Sequence, residues 1–356
     1  MKLFYLANQI YQLSYTKSIY QNLGGSFIVP NFKKLLKFKW GLRNGLYPTF
    51  NQAIDYKTII IKKNIKQLSD FEGLIISQSN IKIKSDNKKF TSIFIGHGTG
   101  DKKYGGNPKI LNSYDYHFIS GEKHLFKLKD VGINIPKDRQ VLVGNPRFDD
   151  YINNYSGNKS YLKFLGVKDV NKSTVLYAPT WKWGGGTLRT LVYKLARAIS
   201  TDYNLIVRPH HFDIHLIPWL KTWSKLQGIK NIYFSNPNNI LHEDTMEVFA
   251  SSDILISDTS SMIYEYLITQ KPIIRIKTTE KKDLHLMPDE MTIIGKSDTI
   301  FPDEIKNINS IINKNLKENP YQNLYKDLLD KCFYFNDGKS TERAINFILK
   351  LFKHKK

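Results

Sequence analysis

The chain has 356 residues, of which 41% are hydrophobic and 13% aromatic, and this composition excludes an intrinsically disordered protein. The length suits two domains of ordinary size or one large domain. The 53 Lys and Arg outnumber the 32 Asp and Glu by 21, and the single cysteine, Cys332, excludes an internal disulfide and every multi-cysteine metal site.

The sequence contains no apolar run near the roughly 18–20 residues that a membrane helix needs. The first ten residues hold one Lys and a short apolar stretch that Asn8 and Gln9 interrupt. This pattern is typical of a first core strand and not of a signal peptide. We therefore expect a cytoplasmic protein.

Positive charge concentrates in the first hundred residues, which hold 15 Lys or Arg against four Asp or Glu. Its lysines form three basic clusters: Lys33, Lys34, Lys37 and Lys39; Lys62, Lys63 and Lys66; and Lys82, Lys84, Lys88 and Lys89. Such a surface attracts a polyanion, anionic lipid included, although a general bias toward Ile, Lys and Asn is an alternative source of the charge. Because the chain lacks zinc-finger, basic-zipper and ribonucleoprotein signatures, we expect no nucleic-acid partner.

Short apolar runs alternate with helical patterns along the chain. The predicted strands are Lys2–Ala7, Phe27–Pro30, Thr58–Ile61, Leu74–Ser77, Ser92–Ile95, Tyr116–Ile119, Val141–Val143, Thr174–Ala178, Asn204–Val207, Asn231–Phe234, Asp253–Ile256 and Pro272–Ile276. The predicted helices are Ser14–Leu23, Gly121–Val131, Leu188–Ser200, Asp213–Gln227, Thr245–Ser251, Ser261–Thr269 and Ser340–Lys356. This alternation indicates an α/β protein with parallel sheets that are covered on both faces.

A polar stretch near residues 151–172 separates two such units. We expect an N-terminal Rossmann-like domain over residues 1–160, a C-terminal one over residues 161–335, and a C-terminal helix over residues 336–356 that packs back across the domains. Open parallel sheets bind ligands beyond the carboxyl ends of their strands. Candidate functional residues are therefore those that follow strands directly.

The first candidate loop, Gly96–Gly100, contains His97 between two glycines, followed by Thr99. Glycines such as Gly98 permit a tight turn and a close approach to a ligand. Imidazole titrates near neutral pH and is the usual general base. A loop histidine with a structural hydrogen bond is the alternative interpretation.

The second candidate is Arg147, which follows the strand that ends at Val143. Its guanidinium suits bidentate binding of an anionic group. The alternative is an interdomain hinge in which Arg147 pairs with Asp149 or Asp150.

Two further loops follow strands of the second half. The first contains Thr180 and a glycine run, including Gly184 and Gly185, before a helix. A strand, a glycine-rich loop and a helix can cradle a phosphate with backbone N–H groups, and a merely flexible loop is the alternative. Arg208 and His210 end the next strand, where together they would neutralise a diphosphate. No metalloprotease spacing occurs, and we expect neither a metal nor a cofactor.

The fifth constellation is the most specific of the set. Asp258, Thr259, Ser260 and Ser261 lie where a strand gives way to a helix. Asp258 or Thr259 is a candidate helix cap, while the serine hydroxyls and free N–H groups suit a donor phosphate. Glu265 lies one turn further along, where its carboxylate would accept hydrogen bonds from ribose hydroxyls.

The order of these motifs resembles the CDP-glycerol glycerophosphotransferase family of teichoic-acid synthesis. The similar segments span roughly residues 90–277: Gly96–Gly100 (H-G-T), Gly144–Asp149 (G-x-P-R-x-D), Val175–Trp181 (VLYAPTW), Arg208–His210 (R-x-H) and Ser252–Pro272. The resemblance implies a GT-B-type fold of two Rossmann-like domains. It also implies transfer of an alditol phosphate from a CDP-alditol to a hydroxyl of a membrane-linked glycan or growing polymer.

The resemblance further implies roles for individual residues. His97 matches the histidine that acts as base on the acceptor, and His210 matches a second essential histidine at the donor phosphates. Ser260 and Ser261 match the donor-binding serines. The basic clusters would then hold the enzyme at the anionic inner face of the cell membrane, as a peripheral protein.

Two other functions stay open at this point. The same fold suits a nucleotide-sugar glycosyltransferase or epimerase of surface-polysaccharide synthesis, because fold does not determine the donor. A non-enzymatic polyanion-binding protein would explain the charge alone, and its affinity would weaken steeply with salt.

Overall fold

The computed structural model describes residues 2–29, 31–43, 59–61, 72–80, 89–96, 98–104, 107–155, 157, 159–240, 242–278 and 287–353, with the backbone alone for residues 40–43 and 59–61. These residues form two parallel sheets with helices on their faces, which confirms the predicted α/β class. The second basic cluster lies outside the described residues, as does the third except for Lys89.

The first sheet has seven parallel strands in the order β3-β2-β1-β4-β5-β6-β7. They are β1 (Lys2–Leu6), β2 (Ser26–Val29), β3 (Ile59–Ile61), β4 (Gly73–Ser77), β5 (Phe90–Phe94), β6 (Tyr116–Ile119) and β7 (Gln140–Leu142). Every residue of β4 and β5 is buried, because helices or loops cover both faces of the sheet. Each predicted strand of the first half is present, with ends that differ by at most two residues.

The second sheet has six parallel strands in the order β10-β9-β8-β11-β12-β13. They are β8 (Thr174–Tyr177), β9 (Asn204–Val207), β10 (Ile232–Phe234), β11 (Ile254–Ser257), β12 (Ile273–Ile276) and β13 (Asp298–Ile300). The first five agree with the predicted strands of the second half. Strand β13 was not predicted.

The α-helices are α1 (Lys17–Leu23), α2 (Phe32–Arg43), α3 (Glu122–Asp130), α4 (Pro146–Asp150), α5 (Ser160–Phe164), α6 (Leu188–Ile199), α7 (Ile217–Leu226), α8 (Thr245–Ser251), α9 (Met262–Tyr266), α10 (Ile308–Glu318), α11 (Gln322–Cys332) and α12 (Ser340–Lys353). A 3-10 helix, Ile10–Tyr15, precedes α1, so the helix predicted over Ser14–Leu23 begins later than expected. Among the described helices, none is long and apolar enough to cross a membrane.

Helix α6 illustrates how the helices pack. Leu188, Leu191, Val192, Leu195 and Ile199 recur at helical spacing and are all buried. They form one apolar cluster with side chains of β8 and β9. The sequence periodicity therefore selects the face that covers the sheet.

Helix α12 returns from the second half of the chain to the first sheet. Its buried residues Ala344 and Ile348 belong to the apolar cluster that contains β1. Asp149, in α4, accepts hydrogen bonds from the backbone N–H groups of Ser340 (3.0 Å) and Thr341 (2.6 Å). A carboxylate there also suits the positive end of the helix dipole. Helix α4 of the first half thus fixes the start of the last helix.

Candidate active site

A cavity of about 290 Å³ lies between the two sheets. Its wall consists largely of residues that follow β1, β4, β5, β6 and β7 of the first sheet and β8, β9, β10 and β11 of the second. Carboxyl ends of parallel strands are the usual ligand site of such sheets. Five basic side chains in the wall, Lys102, Lys103, Lys127, Arg147 and Arg208, outnumber three acidic ones and favour an anionic ligand.

The loop after β5 contacts the residues that precede α9. Gly98 has a φ of +92°, a backbone conformation that favours glycine. A Cβ on Gly98 would lie 3.1 Å from Ser261 Oγ, and one on Gly100 would lie 2.9 Å from Ser261 Cα. Thr99 is buried in the same wall. This loop therefore brings the first half against a serine of the second half, while His97 lies outside the described residues.

Asp258 organises the loop that follows β8. Its Oδ1 accepts from the backbone N–H groups of Thr180 (2.8 Å) and Thr259 (2.6 Å), and its Oδ2 accepts from the N–H and hydroxyl of Thr187, both at 2.9 Å. Burial raises the pKa of Asp258, and the hydrogen bonds from Thr180 and Thr187 oppose the rise. Asp258 is outside the cavity wall, whereas Thr259, Ser260 and Ser261 line it.

Helix α9 has no side-chain cap from Asp258 or Thr259, the two candidates in the sequence. Its N-cap position is Ser261, whose side chain makes no capping hydrogen bond. Asp258 is occupied by the loop after β8, and the Thr259 hydroxyl donates to the Gly184 carbonyl at 3.1 Å. Asp258 and Thr259 therefore do not cap α9, and instead connect the loop after β11 to the loop after β8.

The glycine-rich loop meets the cavity at Thr180 and Trp181, not at Gly184 or Gly185. A Cβ on Gly184 would lie 2.6 Å from both Lys102 Nζ and Trp181 Nε1, so a larger residue there would displace these side chains. Gly185 has a left-handed φ of +81°. Lys102, from the first half, donates to the Thr180 hydroxyl and brings its charge to this loop.

Arg208 and His210 follow β9 and line the cavity together. Arg208 is only 3% exposed, and its guanidinium donates to the hydroxyls of Ser235 and Thr245. Burial lowers the pKa of Arg208. The His210 ring stacks beside Trp181 with centroids 6.2 Å apart. The second half thus presents a guanidinium and an imidazole to one side of the cavity.

Arg147 forms a buried ion pair that joins the two halves. Its Nη1 lies 2.7 Å from Glu265 Oε2, and Tyr15 donates its hydroxyl to Glu265 Oε1 at 2.7 Å. The guanidinium also lies 4.5 Å from the centroid of the Tyr15 ring. Burial alone would lower the pKa of Arg147, but Glu265 and Tyr15 outweigh it and the pKa is raised. All three side chains line the cavity.

This arrangement changes two interpretations drawn from the sequence. Arg147 pairs with neither Asp149 nor Asp150, because Asp149 caps α12 and Asp150 lies 3.4 Å from Lys17 Nζ. Glu265, which was expected to accept from ribose hydroxyls, already accepts from Tyr15 and Arg147 through its two oxygens. Arg147 therefore does form an ion pair between the two halves, but its acidic partner is Glu265 and not a neighbouring aspartate.

Several wall residues had no recognisable sequence signal. Lys127 donates to the Gly100 carbonyl at 2.5 Å, and burial lowers its pKa to about 7. Burial also lowers the pKa of His124 to about 3. Tyr11 stacks on His211 from the opposite half, with ring centroids 4.2 Å apart. Within the described parts of the chain, no three His, Cys, Asp or Glu side chains group as a metal site requires.

Two parallel α/β halves that share a cavity at their strand ends define a GT-B-type fold, as predicted. The solved structure of the wall teichoic acid polymerase TagF has the same fold. It aligns with 99% of this chain and 89% of its own, at a TM-score of 0.67 and 17% sequence identity.

The chain belongs to the CDP-glycerol:poly(glycerophosphate) glycerophosphotransferase family, which matches residues 49–350. It is 27% identical over 247 residues to the teichoic acid glycerol-phosphate primase of Bacillus subtilis, covering 67% of this chain and 58% of that protein. It is 26% identical over 263 residues to the teichoic acid ribitol-phosphate polymerase TarK of Staphylococcus aureus, covering 70% and 48%. The chain thus spans about half the length of the curated relatives it matches.

Proposed function

We propose that this protein transfers glycerol phosphate, or a related alditol phosphate, from a CDP-alditol to a hydroxyl of a membrane-linked glycan or teichoic-acid-like polymer. One observation carries the proposal: a single cationic cavity joins Arg208, His210 and the serines Ser260 and Ser261 to the loop Gly98–Gly100. The family name supports CDP-glycerol as the donor. The relatives that act with glycerol phosphate and ribitol phosphate support an alditol as the transferred group.

The proposed reaction is a substitution at phosphorus in which CMP is the leaving group. The acceptor hydroxyl oxygen forms a bond to the phosphorus that carries the alditol. The bond from that phosphorus to the bridging oxygen of the diphosphate breaks, and CMP leaves with the bond's electrons. The hydroxyl proton passes to a base, which is the role of His97 in this proposal. Such reactions depend mainly on positioning and on electrostatic stabilisation of the phosphates.

The second half of the chain provides the donor side. The buried Arg208 and the neighbouring His210 face the cavity and suit the diphosphate. Ser260 and Ser261 add hydroxyl groups on the same wall. Asp258 lies outside the cavity wall and positions the Thr180 backbone by accepting a hydrogen bond from its N–H group. In this proposal the loop with Gly98 and Thr99 serves the acceptor.

A donor panel tests the proposed reaction. With a lipid-linked disaccharide or a glycerol-phosphate oligomer as acceptor, CMP release from CDP-glycerol or CDP-ribitol should exceed nucleotide release from UDP- or CMP-sugars by at least about tenfold. Replacing Arg208 with Met should raise the donor KM by about tenfold or more, because a charged hydrogen-bond donor is lost. The matched control is Arg189→Met, which removes a half-exposed arginine outside the cavity wall and should change little.

The panel also separates the alternatives. Faster turnover of a nucleotide sugar would replace the proposal by a glycosyltransferase or epimerase of the same fold. If no donor is turned over while polyanions bind with a steep salt dependence, the protein is a binding protein.

Because the proposed acceptor is membrane-linked, the protein should bind to a membrane surface. Helix α2 supports this part of the proposal. Phe32 and Leu36 are 59% and 52% exposed, and Lys33 and Lys37 are exposed beside them. Because i and i+4 positions share a helix face, these residues form one apolar and one basic stripe. Leu35, by contrast, is buried in the core. An apolar stripe flanked by lysines is typical of a helix that lies in the interface of an anionic bilayer.

Vesicle sedimentation tests this membrane contact. Binding to vesicles with anionic lipid should exceed binding to neutral vesicles, and Lys33→Gln/Lys37→Gln should weaken it by about thirtyfold, at roughly 1 kcal/mol for each lysine. Phe32→Ser/Leu36→Ser should weaken it by about tenfold or more through lost apolar contact. Leu226→Ser is the control, because Leu226 is 77% exposed on α7 of the other half.

Equal binding of the wild type to neutral and anionic vesicles would refute the electrostatic contact. An equal loss with Leu226→Ser would show that the effect does not belong to α2.

A further inference from the structure

A buried network holds the loop Gly98–Asp101 from behind the cavity wall. Lys123 of α3 is fully buried, with its Nζ 2.5 Å from Asp101 Oδ1 and 2.9 Å from the Met291 carbonyl oxygen, to which it donates. Tyr264 of α9 donates its hydroxyl to Asp101 Oδ2 at 2.6 Å. The Asp101 carboxylate therefore bridges an ammonium group of the first half and a phenol of the second.

The network does not touch the cavity. Asp101, Lys123 and Tyr264 are absent from the residues that line it. The Lys123 ammonium also lies 3.0 Å from the centroid of the Tyr264 ring, so the three groups form one compact unit. Burial raises the pKa of Tyr264, and Asp101 raises it further, which keeps the phenol protonated as a donor. These residues would act through the loop and not on a substrate.

Energetics favour a geometric role for this unit. A buried ion pair seldom adds more stability than well-packed apolar side chains of similar volume. Here the ion pair fixes the position of the loop, because Asp101 accepts hydrogen bonds from Lys123 of the first half and Tyr264 of the second half at the same time. A wrong loop position would leave the Lys123 ammonium buried without its carboxylate, which is costly.

The opposite side of the loop is fixed as well. Gly100 packs against Ser261, and Lys127, one turn after Lys123 on α3, donates to the Gly100 carbonyl. Tyr264 lies one turn after Ser261. The loop is therefore attached to the same short segment that presents the donor-side serines to the cavity.

We propose that Asp101 is a positioning residue for the transfer reaction: through Lys123 and Tyr264 it fixes the loop Gly98–Asp101 at the serines that precede α9. This inference rests on the proposed function, in which the loop serves the acceptor and the serines serve the donor. Loosening the loop leaves each binding surface intact but changes the spacing of the reacting groups. It should therefore lower kcat far more than it changes KM.

Amide hydrogen exchange of Tyr264→Phe tests the attachment without any substrate. Exchange of residues 98–104 should become about tenfold faster or more, because a hydrogen bond to a charged group is lost. Tyr325→Phe is the matched control. It removes a buried hydroxyl that accepts from the Ile273 N–H at 3.1 Å in the second-half core, and it should leave exchange of the loop unchanged.

Exchange of the loop within twofold of wild type in Tyr264→Phe would overturn the proposal. An equal acceleration in Tyr325→Phe would also overturn it, because the effect would then reflect global destabilisation. Asp101→Asn provides a second variant, which also weakens the ion pair with Lys123. The double variant with Tyr264→Phe should accelerate exchange by less than the product of the two single effects, since both changes weaken the contact between Asp101 and Tyr264. Full additivity would show that Asp101 and Tyr264 act independently.

Steady-state kinetics then connect the attachment to catalysis. Tyr264→Phe and Asp101→Asn should each lower kcat by about tenfold or more, with the donor KM within about threefold of wild type. A KM change without a kcat change would contradict positioning. Failure of the wild type with every CDP-alditol would refute the proposed function alone, because the exchange measurement still reports on the loop.

Discussion

Replacing Arg147 with Met should lower the free energy of unfolding by about 3–5 kcal/mol, the usual cost of removing one partner from a buried ion pair. The change leaves the Glu265 carboxylate buried at 2% exposure, with the hydrogen bond from the Tyr15 hydroxyl still in place. It also removes a contact between the two halves of the chain, made by residues that are 118 positions apart in sequence. Urea denaturation followed by tryptophan fluorescence would measure the loss.

The control for this change is Arg343→Met, which makes the same substitution at a partly exposed surface ion pair with Asp337. Exposed pairs contribute about 0–1 kcal/mol, so little change is expected. The double variant Arg147→Met/Glu265→Gln should be more stable than Arg147→Met alone, because no unpaired charge stays buried. A loss below about 1 kcal/mol for Arg147→Met would show that solvent reaches the pair and that it does not join the halves.

The sheets were predictable because their strands carry a strong local signal. A strand that is buried on both faces is apolar at nearly every position, as in Thr174–Tyr177 and Asn204–Val207. Strand β13 lacks this signal, since Asp298–Ile300 has three residues and one of them is buried. The loops at the strand ends followed from the parallel topology, which places all carboxyl ends of a sheet at one edge.

The contacts between the halves were not predictable, because they depend on three-dimensional distance and not on spacing. Asp149 and Asp150 lie beside Arg147 in sequence and have the right charge, but the fold uses them for α12 and Lys17. Glu265 becomes its partner only when the second sheet is placed opposite the first. Coulomb energy falls with separation in space, so sequence neighbours have no advantage.

The burial of two lysines of α3, near the candidate active site, was not predictable from the sequence either. Lys123 and Lys127 are four residues apart and look like an ordinary solvated face of a helix. Both are buried, one on Asp101 and the other on the Gly100 carbonyl. Burial of a lysine reflects what the rest of the fold packs over it, and no local pattern records that.

Replacing His97 with Ala should reduce turnover by at least about a hundredfold, the lower limit for loss of a general base. This proposed base role rests on the resemblance of the H-G-T loop to the family motif, and the adjacent Gly98 packs against Ser261. Donor affinity, measured by calorimetry with CDP-glycerol, should stay within about threefold of wild type, because a base on the acceptor does not hold the donor. The acidic limb of the profile of kcat/KM against pH should also disappear.

His210→Ala should behave differently, because His210 lies beside Arg208 on the cavity wall that we propose for the donor. It should weaken donor binding as well as turnover, whereas His97→Ala should affect turnover alone. His215→Ala is the matched control, since His215 is exposed and outside the cavity wall. Turnover within threefold of wild type in His97→Ala would eliminate the base role. Unchanged donor affinity in His210→Ala would remove His210 from the diphosphate site, because a side chain on the donor wall that contacts the phosphates cannot be lost without cost.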